Sequence, residues 1–221
     1  MTDEFSEKPW TEQQWEDFLR QSEVRSARYG ELFETLAEHP ERDELIDREM
    51  GWDREPEEPE FELSWEQGEY DDFDEEEVDE LETEESQEEI RQRRSELREL
   101  PAFSAARQWA MAAQRLLKDV GELDAEVDEI VARAHEGCLC AGAKIAAGYG
   151  MGEEEQTLCG NIVCCKRAAA FAEQGIEALL ELAECGCFSA AAVQPLIEQG
   201  RKVRSLIEDR IRELRSRVWW E

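Results

Sequence analysis

The chain has 221 residues and a formal charge of −32, from 57 acidic and 25 basic side chains. That length can bury a real core in one or two domains, while so acidic a surface is repelled by phosphate and by anionic lipid, which argues against direct binding of nucleic acid or of a membrane. No apolar run approaches the roughly 20 residues that cross a bilayer. The opening MTDEFSEKPW lacks the basic-then-apolar pattern of a secretory leader. A cytoplasmic location follows as the expectation, with the seven cysteines reduced rather than arranged as a disulfide framework.

The charge divides the chain. Residues 1–52 carry a net −9, residues 53–89 a net −20 and residues 90–221 a net −3. These shifts predict an all-α protein in three parts: an N-terminal helical hairpin (1–52), an acidic, aromatic-bearing arm or linker (53–88), and a C-terminal antiparallel bundle of four main helices (89–221).

In the hairpin, Thr11 with Gln14 three residues on is a capping-box signal. Trp15, Phe18, Ser22, Arg25, Tyr29, Leu32 and Leu36 then recur at helical spacing. His39-Pro40 ends that helix, Leu45, Ile46 and Met50 line a second, and Gly51 suits its C-terminal stop. Residues 53–85 combine prolines with Asp/Glu runs, a composition that favours extended or disordered chain. Yet Trp52, Phe61, Trp65, Tyr70 and Phe73 are spread along or beside it. Either these aromatics dock on the bundle, the leading reading, or they form an acidic-aromatic ligand for a basic partner. Ser86 and Glu89 open a further helix that runs to about Glu99, before Pro101.

Four bundle helices are predicted over about 102–120, 122–148, 157–185 and 189 or 195–218. The first presents Ala106, Ala110, Ala113 and Leu117. The second presents Val127, Val131, Ala134, Cys138, Ala141 and Ile145. The third presents Leu158, Ile162, Cys165, Ala169, Ala172, Ile176 and Leu179. Small residues on the second and third seams predict an unusually close pair. The last helix ends in Arg204, Arg210, Arg212, Arg215 and Arg217, followed by Trp219 and Trp220. Basic residues suit a helix C-terminus. Arg210, Arg215, Trp219 and Trp220 are candidates to hold the acidic arm within the molecule, to meet a partner, or to build a homo-oligomer interface.

All the cysteines lie between residues 138 and 187. If the second and third helices turn at about 149–156, Cys140 faces Cys165, with Cys138 and Cys164 within a turn. Cys185 is then ~30 Å away along the axis. His135, Cys138, Cys140, Cys164 and Cys165 are the candidate ligands of a Zn or Cu(I) site. Against this, Cys138 and Cys140 point ~200° apart on a regular helix. Cysteine in an Ala/Gly seam also packs as a small hydrophobe, and that reading ranks ahead of metal.

Other chemistries lack their residues. The E-x-x-H pattern of di-iron bundles is missing, since Leu36 and Ala132 stand three before the two histidines. No phosphate-cradling motif is present, and Gly148 to Gly152 reads as a flexible interhelical loop or a helix cap. His135 beside Cys138 has no orienting third group. The favoured expectation is a non-catalytic interaction or scaffold protein with no resident cofactor, whose partner offers a basic surface. The alternatives are a thiolate metal-binding or redox bundle, and an acidic mimic of nucleic acid.

Overall fold

A computed structural model describes residues 8–52, 84–118, 124–186 and 188–220. It is all-α, with no strand among the described residues: α1 (Glu12–Thr35), α2 (Arg42–Met50), α3 (Glu84–Glu99), α4 (Pro101–Leu117), α5 (Ala125–Met151), α6 (Glu155–Glu184) and α7 (Ala190–Arg215). The chain divides into two compact units, Met1–Glu16 with Glu88–Glu221, and Asp17–Gln87. The division falls about one turn inside α1.

The helix ends follow local chemistry. Thr11 and Gln14 form the reciprocal box: the Thr11 N–H donates to Gln14 Oε1 at 3.0 Å and the Gln14 N–H to Thr11 Oγ1 at 3.3 Å. Gly51 ends α2 at φ 73°, where a glycine avoids the Cβ penalty. Pro101 occupies the first position of α4. Pro195 lies inside α7, so the helix starts at Ala190, the earlier of the two predicted sites.

In the smaller unit, the rest of α1 and α2 bury Leu32 and Ile46. Tyr29 stacks with Phe33 and Trp52 at centroid distances of 5.9 and 5.8 Å, and the Arg42 guanidinium lies 4.6 Å over Phe33.

In the larger unit, α5 packs on α6, α6 on α7, and α4 on both α5 and α7, which closes a four-helix ring. Its centre is Trp109, which is fully buried. A Cβ at Gly175 would sit 2.9 Å from the Trp109 ring, and one at Gly200 2.7 Å from both that ring and Ile176. Gly175 also touches α5, where a Cβ on Gly137 would run into the Gly175 backbone. The small-residue seam therefore does what its composition predicted: α5 and α6 meet backbone to backbone. The seam of α4 is corrected, because Trp109 is buried where Ala110 is only partly so. The large ring needs the space that the two glycines leave.

Candidate interaction site

Buried polar side chains are rare unless something holds them. Among the described residues three are buried, Glu12, Asn161 and Arg210, and all three lie at the end of the bundle where α5 turns into α6. Asn161 braces that turn, its Nδ2 donating to the Gly152 carbonyl at 3.0 Å. Gly152 itself has φ 101°, a conformation that favours glycine.

The N-terminal segment is seated against this end. Glu12, Trp15 and Glu16 are spaced i, i+3, i+4, so the first turn of α1 presents them on one face. The Glu12 carboxylate accepts from Arg215 Nε and a second guanidinium nitrogen at 2.7 and 2.9 Å, and pairs with Lys166 as well. Arg167 holds Glu16 in the same forked way, at 3.0 Å through each nitrogen. Between the two pairs, Trp15 lies on Gly160. A Cβ there would meet the indole at 2.9 Å and the Met151 sulfur at 3.0 Å. Pro9 is buried, and Trp10 packs on Trp15 at 5.2 Å.

A second set of ion pairs adjoins the first. Arg210 and Arg217 both bind Glu153, and Arg217 also donates to the Glu153 carbonyl at 2.6 Å. Arg210 takes Glu213 at 2.9 Å too. Burial pushes the Glu12 and Glu153 carboxyls up, but the hydrogen bonds and charges of their basic partners outweigh it, so both sit below the ordinary carboxylate value.

The residues predicted as partner-binding thus have separate fates. Arg210 is buried and internally paired, and Arg215 serves the N-terminal segment. Trp220 is buried, while Trp219 is 71 % exposed with its N–H on Glu155 at 3.1 Å. Trp52 lies in the smaller unit and is 53 % exposed. Phe61, Trp65, Tyr70 and Phe73 fall outside the described residues, as does Cys187.

The candidate metal ligands are not brought to one point. Gly137 and Cys138 lie level with Phe171 to Gly175, six to ten residues beyond Cys165, or ~9–15 Å at the helical rise. The predicted pairing of Cys140 with Cys165 is displaced because the contact of Gly137 with Gly175 sets the register, not the turn alone. Among the described residues no group of three or more His, Cys, Asp or Glu side chains converges on a metal position, so His135, Cys138, Cys140, Cys164 and Cys165 do not come together as the candidate ligand set.

Burial pushes the Cys138 thiol up to about 12 and the Cys165 thiol to about 11. Cys164 packs on Gly148, and Cys165 Sγ lies 3.6 Å from Asn161 Oδ1. At Cys138 and Cys165 the neutral thiols fill space between helices.

An open groove of about 560 Å³ runs between α3 and the end of α5, lined by Ile90, Arg93, Leu97, Tyr149 and Met151, with the Tyr149 hydroxyl donating to Glu96 at 2.8 Å. The sequence reading foresaw neither this groove nor the seat of the N-terminal segment. No described helix is long and apolar enough to cross a membrane. No protein-family model matches the chain, and no curated protein or solved structure is significantly similar to it.

Proposed function

We propose that this chain is a non-catalytic interaction protein whose bundle recognises acidic, aromatic-bearing segments through Lys166, Arg167 and Arg215. The observation that carries the reading is the seating of the chain's own residues 9–16. A buried carboxylate is gripped by a forked arginine, a second carboxylate four residues on by another, and a tryptophan between them rests on a glycine. This is the anchor pattern by which short helices bind grooves, and forked arginine–carboxylate pairs add direction to it. The net −32 of the chain makes such a basic edge conspicuous to an acidic ligand only at close range, inside a screening length of ~8–10 Å at ordinary salt.

The test is Arg167→Ala with Arg215→Ala in the full chain. Chymotrypsin cleavage after Trp15 under native conditions should rise at least tenfold, with the bundle's melting temperature little changed. An unchanged cleavage rate would mean that the arginines hold nothing, and the reading falls.

A further inference from the structure

The seat on α6 and α7 can be filled in two ways. Gly160 lies under Trp15, Lys166 and Arg167 stand further along α6, and Arg215 ends α7. The segment that brings Glu12, Trp15 and Glu16 to them is joined to the bundle only through the whole of the smaller unit, Asp17–Gln87. The forked pairs and the indole contact join these two stretches without requiring that both belong to one chain.

The segment carries its own order. The Thr11–Gln14 box closes between residues on one turn, and the helix it opens runs unbroken to Thr35. Helical spacing therefore keeps Glu12, Trp15 and Glu16 on one face when they leave the seat. What they leave is a glycine floor with three cations around it, Lys166, Arg167 and Arg215. A molecule in that state has one free segment and one empty seat, each the complement of the other. Two such molecules close into a two-fold pair with both seats filled.

A second copy fits this seat as no unrelated peptide is bound to. It brings two carboxylates and an indole at the same spacing and in the same capped helix, so exchange replaces each forked pair by an identical one. The seat contacts then cancel between the closed monomer and the exchanged pair, and concentration decides between them. Tethering supplies a local concentration on the order of 1 mM or less over a connection as long as this. Repulsion between two chains of net −32 opposes the pair, and ordinary salt screens it beyond ~8–10 Å.

We infer that the seat on α6 and α7 takes residues 9–16 of a second copy of this chain, giving a concentration-dependent dimer in which the two copies exchange Glu12, Trp15 and Glu16. This rests on the interaction reading above and names its partner.

The experiment divides seat and segment between two full-length chains. The first carries Glu12→Gln, Trp15→Ala and Glu16→Gln, and keeps the seat. The second carries Arg167→Ala and Arg215→Ala, and keeps the segment. Alone, the second should be cleaved by chymotrypsin after Trp15 at least tenfold faster than the native chain. Adding the first at about 1 mM, the scale of the tethered concentration, should slow that cleavage at least fivefold and give a 1:1 complex in sedimentation velocity. The first chain with Arg167→Ala and Arg215→Ala added should protect nothing. The native chain should pass from monomer toward dimer between about 10 µM and 1 mM, and the first chain should stay monomeric over that range.

Cleavage of the second chain at the native rate means that the arginines hold nothing, and the interaction reading and this inference fall together. Fast cleavage that the first chain does not slow leaves the seat standing and removes the second copy as its occupant. A native dimer that persists unchanged in the first chain uses another surface and also overturns the inference. Should circular dichroism show the triply substituted chain unfolded, Glu12→Gln with Glu16→Gln keeps Trp15 in place and should protect the second chain at least twofold.

Discussion

Among the described residues two tryptophans rest on glycine, and they are held in opposite ways. Trp109 is enclosed by α4, α6 and α7, with Gly175 and Gly200 hollowed out beneath it and no hydrogen-bond partner for its indole nitrogen among the described residues. Trp15 sits on Gly160 at one end of the bundle, flanked by forked ion pairs. The first is fixed by shape and by exclusion of water, which salt and pH leave alone. The second is fixed by apolar contact plus charges, which salt and acid weaken.

The comparison breaks first at the centre. Trp109→Ala should destabilise the chain by about 3–5 kcal/mol, as large cavities do, read as a shift in the denaturant midpoint. Trp109→Phe should cost far less, under about 1.5 kcal/mol, because it also removes a buried N–H that has no partner. A Phe variant as unstable as the Ala variant would show that the N–H is satisfied.

Gly175→Ala comes next, at about 2–3 kcal/mol. The added methyl gains up to ~1 kcal/mol of helix propensity, but it meets both Trp109 and the α5 backbone, and overpacking outweighs the gain.

At the rim, Arg215→Ala should lower the local stability of residues 9–16 by about 1–2 kcal/mol, read as lost protease protection with the bundle's melting temperature little changed, because Glu12 stays buried with its forked partner removed and Lys166 still paired to it. Acid should act in the same place. Glu12 and Glu153 have folded values below the ordinary 4.5, so their contribution is complete above that pH and is lost as pH falls through the folded values. Glu12→Gln should therefore flatten the loss of protease protection at residues 9–16 below about pH 4.5.

The smallest effects lie with the thiols. Exposed Cys185 should react with a disulfide reagent in the native state long before buried Cys138 and Cys165, and Cys185→Ser should leave the melting temperature unchanged.

What could be read from the sequence was local. The Thr11–Gln14 box, Gly51, Pro101 and the seams of α5 and α6 are set by residues three or four apart, and periodicity shows them. The face of α4 was misread because an alanine stripe and a tryptophan beside it are equally good helical faces. Only the glycines on α6 and α7 decide between them. The cysteine register went wrong for a related reason: a turn fixes where two helices begin to oppose each other, but the contact of Gly137 with Gly175 fixes where they settle. Arg215 was assigned to the acidic arm, to a partner or to an oligomer interface; the residue it holds is Glu12, 203 residues away in sequence, and no spacing rule reaches so far.

Native-state amide hydrogen exchange, measured at low and at high salt, tests the central contrast most directly. Residues 9–16 should open by local release at a rate that rises with salt, while the amides around Trp109 and Gly175 exchange only through global unfolding and keep their rates. If both sets move together and neither responds to salt, the N-terminal segment is part of the core and not a ligand seated on it.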